Sequence, residues 1–203
     1  MTIQAQSKEV VAVFDFDKTL TDRHTFWRYL VSLVGPIKFW LVAITLVPTA
    51  IRLWRKKIAL MDAREVMIRR CMTGVSSKNY FEKGQVFAQG AIDPWIRPEA
   101  LAKLRWHQEN NHKCILISNA AESYIEPWSR KMGFCAYSGS RFELSGDKLT
   151  GQLIGDHCQG PEKVVRLQQI LGPLERYEIY AYGDSSGDKE LLEVADHPHY
   201  RCF

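Results

Sequence analysis

Asp15 and Asp17, in the run Asp15-Phe16-Asp17-Lys18-Thr19-Leu20-Thr21, are two carboxylates that an extended backbone points to the same side. Such a pair suits a division of labour. One carboxylate attacks phosphorus and forms an acyl phosphate; the other protonates the departing oxygen and then deprotonates water. Two unneutralised acids side by side raise each other's pKa. A hard, oxygen-coordinated ion such as Mg2+ removes that difficulty and polarises the phosphoryl group. Gly183-Asp184-Ser185-Ser186-Gly187-Asp188 supplies two more carboxylates as candidate metal ligands. Ser118 and Asn119 offer a hydroxyl and an amide to phosphate oxygens. Lys163, in the first turn of a helix after Gly160-Pro161, could neutralise phosphate charge. Taken singly, each has a plainer reading: a solvated turn, a loop capping the helix that follows, a helix N-cap, a surface lysine.

The elements that must position these residues repeat a pattern. Val10–Phe14, Lys113–Ile117 and Tyr177–Tyr182 are short apolar runs, and each stops at one of the polar groups above. Helical stretches separate them at Pro98–Asn110, Glu122–Met132 and Pro161–Leu171. Alternation of this kind predicts an α/β fold, a Rossmann-like core with a parallel sheet covered on both faces. Ligands then bind outside the carboxyl ends of the strands, where all three deliver their polar residues. Two pieces interrupt the alternation. Residues 21–94 read as several helices with no convincing strand, hence an inserted all-helical cap, with the catalytic core in 1–20 and 95–203. Ser138–Leu153 reads as a small β-hairpin around Ser145-Gly146-Asp147.

With 46% hydrophobic and 25% charged residues the chain can bury a core. Five cysteines without a CxxC pair argue against a disulfide framework or a structural zinc site and fit a reducing, cytoplasmic compartment. The six histidines show no metal-ligand spacing, and the alternation of His197 and His199 is a weak metal cue. Val10–Phe14 is interrupted too soon by Asp15 and Asp17 to be a secretory signal. Charge is uneven. Between Asp22 and Asp62 there are seven basic residues and no acid, so of the net +4 the rest of the chain carries −3. No nucleic-acid motif accompanies the charge, which excludes that class of partner.

In this order the four polar elements resemble the four motifs of the haloacid dehalogenase (HAD) phosphatases, over Val10 to Leu192. The resemblance implies Asp15 as nucleophile and magnesium ligand, and Asp17 as general acid/base that also offers its main-chain carbonyl to the metal. It implies Ser118 and the backbone near Asn119 as phosphate binders, Lys163 bridging phosphate and Asp15, Asp184 on magnesium and Asp188 in support. Asp17 speaks against a dehalogenase, whose family members lack this second acid. Lys18 stands where the commonest family pattern has Gly. Asn119-Ala120 stands where phosphoserine phosphatases usually carry Gly-Gly, which weakens phosphoserine as the substrate.

An insertion right after the first motif is similar to the cap of subfamily IB. Phe39–Ile51 is uncharged, Leu30–Ile37 nearly so, and Arg52, Arg55, Lys56 and Lys57 follow. Thirteen residues are too few to span a bilayer, but residues 29–57 suit an interfacial helix. Trp27, Trp40 and Trp54 would serve as aromatic anchors, and the basic cluster would favour anionic lipid. This arrangement, together with Trp106-His107-Gln108, Gly160-Pro161-Glu162-Lys163 and Ala181-Tyr182-Gly183-Asp184, resembles the phosphatidylglycerophosphatase C branch of subfamily IB. That resemblance implies a membrane phospholipid monoester as substrate and a peripheral place on the inner face of the cytoplasmic membrane. The rivals are a soluble phosphatase of the phosphoserine phosphatase type, a receiver-like phosphoacceptor domain, and an inactive membrane-binding module. Receiver domains lack a cap and the second acid, and every catalytic position here carries a competent residue. The chain ends at Phe203, soon after the start of a final strand, which leaves a longer C-terminus open.

Overall fold

The computed structural model of the chain describes residues 8–48 and 60–203, and for 60–63 the backbone alone. The end of the predicted interfacial segment, with Arg52, Trp54, Arg55, Lys56 and Lys57, lies outside the described residues. Five strands form one wholly parallel sheet: β1 (Glu9–Phe14), β2 (Lys113–Ala121), β3 (Ala136–Ser140), β6 (Tyr177–Gly183) and β7 (His197–Tyr200), in the order β3-β2-β1-β6-β7. A separate antiparallel hairpin pairs β4 (Phe142–Ser145) with β5 (Lys148–Leu153). The expected α/β class with a parallel sheet is thus observed.

Burial on both faces follows from the apolar runs. On β1, Val11 and Val13 join Ile115, Ile117, Ile179 and Ala181 on one face, covered by α7 (Pro161–Leu171) and α8 (Lys189–Glu193) through Leu167 and Leu191. Ala12 and Phe14 point the other way, into a larger core with α5 (Pro98–Glu109) and α6 (Glu122–Lys131). Period-two alternation with apolar residues in both phases is what a central parallel strand requires.

Among the described residues of 26–86 lie the helices α1 (Phe26–Val34), α2 (Pro36–Thr45), α3 (Leu60–Met72) and α4 (Ser77–Val86). Gly35, at φ +81°, turns the chain between α1 and α2, which meet at 108°. Helix α4 packs against α6 so closely that a Cβ on Gly84 would lie 2.3 Å from the Ser123 carbonyl oxygen. The contact is polar at its centre. Ser123 Oγ donates to Tyr29 Oη at 2.8 Å, and Tyr29 Oη donates to the Tyr80 carbonyl at 2.9 Å.

Two differences from the sequence reading concern β2 and β3. The second strand runs on to Ala121, so Ser118 and Asn119 lie within its tip rather than beyond it. Part of the region read as hairpin, Ser138–Ser140, belongs instead to β3 at the sheet edge. Ala136-Tyr137-Ser138-Gly139-Ser140 carries no apolar alternation: its two buried residues are the small Gly139 and Ser140.

Candidate active site

Six of the seven residues singled out by type and spacing line one cavity of about 220 Å³: Asp15, Asp17, Ser118, Asn119, Lys163 and Asp184. The seventh, Asp188, is fully buried at its edge. Asp15 follows the last residue of β1, and its N–H is held by the Tyr182 carbonyl at 2.9 Å. Asp15 and Asp17 are extended, but Phe16 between them is not, so the pair does not sit on the continuous extended run that the sequence suggested; the chain reverses at Lys18, where φ is +69°. A glycine would adopt that conformation without strain; lysine costs about 1 kcal/mol there. Thr21 closes the loop, donating its N–H (3.1 Å) and Oγ1–H (3.2 Å) to the Phe16 carbonyl.

Lys163, in the first turn of α7, is buried and donates to Asp15 Oδ1 at 2.6 Å and to Asp188 Oδ1. Burial alone would lower its pKa, but the two carboxylates outweigh that and hold it protonated above the ordinary lysine value. Burial pushes Asp15 up to about 6, against the pull of Lys163 and with further push from Asp188 and Asp17. Burial raises Asp188 as well, but Lys163 and the Ser185 hydrogen bonds leave it net lowered. The second Asp188 oxygen, Oδ2, accepts from Asp184 N (3.1 Å), Ser185 N (2.9 Å) and Ser185 Oγ (2.7 Å). Asp188 thereby fixes both the lysine and the loop that carries Asp184. Gly183 makes room for this: a Cβ there would sit 2.5 Å from Asp188 Cβ.

Asp17 is clamped from the cap side. Its Oδ1 accepts from Thr25 N (2.9 Å) and Thr25 Oγ1 (2.7 Å), and Thr25 Oγ1 shares a 2.9 Å hydrogen bond with the Tyr124 hydroxyl. The other oxygen, Oδ2, lies 3.7 Å from His24 Nδ1, and hydrogen bonding to Asp17 raises the His24 pKa. At the tip of β2 the ladder to β3 breaks between Ile117 and Ala121. Ser118, Asn119 and Ala120 therefore stand out of register beside the cavity. Ser118 Oγ accepts from Ala120 N at 3.3 Å, and Ser140 Oγ fixes Asn119 by donating to its Oδ1 (2.9 Å) and carbonyl (3.0 Å). Cys158 also lines the cavity, but burial pushes its thiol up to about 11, so it stays protonated.

Four lining residues escaped sequence reasoning, His24, Arg64, Cys158 and Gln159. Nothing in the chain distinguishes Arg64 from Arg69 and Arg70 of the same helix. Its guanidinium lies over the rings of Phe26 (5.7 Å) and Trp27 (5.9 Å), and its Nε is buried with no hydrogen-bond partner among the described residues. Arg64 and Asn119 also wall a small hollow whose other side, Ile68, Phe142 and His157, borders a separate cleft of about 400 Å³ between α3 and the hairpin. His157 Nε2 meets Glu65 Oε1 at 2.9 Å across that cleft.

The donors fit a hard cation. They are oxygens only, and Asp184 is raised by burial and then by Asp188, the sign of a carboxylate group short of positive charge. Among the described residues no three His, Cys, Asp or Glu side chains form a ready cage. Magnesium would need no such cage, since it takes one or two carboxylates and completes its shell with water and substrate phosphate.

A buried aspartate at a strand end, ion-paired to a helix lysine beside a second aspartate, defines a hydrolase of the HAD class. The profile of the haloacid dehalogenase-like hydrolase family matches residues 12–193, and the chain belongs to that family. Along its full length the chain is 30% identical to Protein CicA of Caulobacter vibrioides, of which it covers 90%. Among solved structures, a protein of unknown function from Bordetella pertussis Tohama I superposes with TM-score 0.74 at 24% identity, over 92% of this chain and 87% of that one. A phospho-aspartyl intermediate analogue of phosphoserine phosphatase superposes with TM-score 0.58 at 15% identity, over 93% and 84%.

Proposed function

We propose that this hydrolase is a magnesium-dependent phosphomonoesterase of the subfamily IB kind, working through an aspartyl phosphate on Asp15. Its substrate in this reading is a membrane phospholipid monoester such as phosphatidylglycerophosphate. The observation that carries the reaction is the pairing of Asp15 with Lys163 in the same cavity as a separately clamped Asp17. Asp15 Oδ1 is taken by Lys163, while Oδ2 has only a 3.3 Å contact from Thr19 Oγ1 and is the freer oxygen to attack phosphorus. As the P–O bond to the alcohol breaks, Asp17 gives its Oδ2 proton to the leaving oxygen. Asp17 then takes a proton from the water that hydrolyses the acyl phosphate, releasing phosphate and restoring both acids. Ser118, the main chain near Asn119, and Lys163 hold the phosphoryl oxygens. Asp15, Asp184 and the Asp17 carbonyl would hold Mg2+, which neutralises the carboxylates and polarises the phosphoryl group when bound; Asp188 supports Asp184 from behind.

The lipid reading draws on the space beyond the catalytic cavity. The cleft between α3 and the hairpin has apolar walls in Ile68, Phe142 and Leu153 and is far larger than a serine leaving group needs. A peripheral place on the inner face of the cytoplasmic membrane follows from the same reading. Phosphate release from phosphatidylglycerophosphate in mixed micelles and from phosphoserine, measured side by side with Mg2+ and with Asp15→Asn as blank, tests it. Preference for the lipid is expected; preference for phosphoserine would return the chain to the soluble small-molecule class.

A further inference from the structure

We infer that the outward face of α2 is a seat for an anionic lipid surface, formed by Ile37, Trp40, Leu41, Ile44 and Val47. A helix at the surface of a folded protein ordinarily turns one apolar stripe inward. Helix α2 has two. Phe39, Val42, Ala43 and Leu46 pack inward on the neighbouring helices. Ile37, Trp40, Leu41 and Ile44 are 77, 64, 60 and 66% exposed, at spacings that put all four on the opposite side, and Val47, just past the turn that ends the helix, is 53% exposed. No residue of α2 is fully buried, and its one charge is the exposed Lys38. A contiguous apolar stripe of this size marks a contact surface.

Charge decides what the contact is. Residues 23–61 hold seven basic side chains and no acid, and of the three within the described residues Lys38 lies exposed on α2 itself. Arg70, from α3, reaches the end of α2 and donates to Thr45 Oγ1 at 3.0 Å. A second copy docking through the same face would bring like charges together, whereas anionic headgroups complement them. Among the described residues no single helix is long and apolar enough to cross a bilayer, and the α1–α2 pair is bent by 108°. The geometry is therefore that of a helix lying in the interface. Arg64 at the catalytic cavity and Arg70 at the seat share α3 and are six residues apart, about 9 Å of helix. The seat rests on the lipid-substrate reading only for its purpose, which is to hold the cap where headgroup phosphates are.

Flotation of the full chain with vesicles of equal parts phosphatidylglycerol and phosphatidylcholine, against pure phosphatidylcholine, tests the seat. The protein should float with the anionic vesicles and be released by salt. The double variant Trp40→Ser/Ile44→Ser and the single variant Lys38→Glu should each lower the bound fraction, the double variant by at least about tenfold. Hydrolysis of p-nitrophenyl phosphate in solution should be unchanged in both. Wild-type protein that stays at the bottom overturns the seat, and so does a double variant that floats like wild type. Sedimentation without vesicles separates the other occupants. A dimer lost in the double variant assigns the face to a second copy, and a monomer that ignores vesicles assigns it to the chain's own 49–59 segment; either overturns the lipid seat. Absent p-nitrophenyl phosphate turnover in wild type would fail the catalytic reading while leaving flotation intact.

Discussion

The floor of the catalytic cavity and the outer face of α2 break the ordinary partition of side chains in opposite directions. At the floor, Lys163, Asp15 and Asp188 are buried charges. Along α2 and just past its end, five large apolar side chains are exposed. Buried charge survives only when each ion is paired and its remaining lone pairs are filled, because desolvation costs several kcal/mol per ion. The floor meets that condition with one lysine between two carboxylates and with three donors on Asp188 Oδ2. The α2 face meets no such condition within the described chain. One region satisfies its charges from within; the other leaves its large apolar side chains exposed in the described chain.

Substitutions at the floor should have the largest effects. Asp15→Asn should lower turnover by at least about 10⁴-fold, as loss of a covalent nucleophile does, with a melting temperature no lower than wild type because a carboxyl raised by burial has been removed. Turnover near wild type would sink the nucleophile assignment. Lys163→Met strands two buried carboxylates, so it should lower stability by about 3–5 kcal/mol, read by denaturant unfolding, as well as abolish turnover. An unchanged midpoint would mean that the floor is not held by its ion pairs.

Asp17→Asn should slow turnover by about 10²–10⁴-fold, and more for alkyl than for aryl phosphates, since a poor leaving group needs the proton most. Equal losses on both substrates would contradict the acid role. The stability of the floor has a pH-dependent neighbour in His107, buried under Phe14 with its Nε2 2.8 Å from the Tyr182 hydroxyl. Burial, then His112, Lys103 and His199, lowers His107 to about 4. Below its ordinary value of 6.5 the unfolded chain binds a proton that the folded chain refuses. Stability from this group is therefore full above about 6.5 and falls as pH drops towards 4, by about 3 kcal/mol. His107→Gln should flatten that part of the pH–stability curve; an unaltered slope would assign the dependence to another group. At the small end, Trp40→Ser/Ile44→Ser should change stability by no more than about 0.5 kcal/mol. A large loss would show that the stripe is packed in the folded chain and would dissolve the contrast between the two regions.

Much of the floor was legible because its residues sit at the ends of apolar runs, and a parallel sheet brings strand ends together whatever joins them. Asp15, Asp17, Ser118, Asn119 and Asp184 were found that way, and Lys163 by its place in the first turn of a helix after Gly160-Pro161. His24, Arg64 and the clamp on Asp17 were not. Thr25 holds Asp17 from eight residues away and is itself tied to Tyr124, 99 residues further on, a pairing that only the docked cap creates. Lys18 was legible as an oddity, and its positive φ explains why glycine is common at that place in the family. Strand β3 stayed hidden because an edge strand of small polar residues has no periodic signature.

By itself the order of residues determined the α/β class, the carboxylates that meet in the cavity and a basic, acid-free segment after the first motif, since alternation, motif spacing and charge are local properties of a chain. Only the tertiary structure decided that Asp188 serves the lysine and the loop, that Arg64 looks into the cavity, and which of the two apolar faces of α2 is left outside. Those outcomes depend on which surfaces meet, and a helix that is apolar all round does not say which side its neighbours will cover.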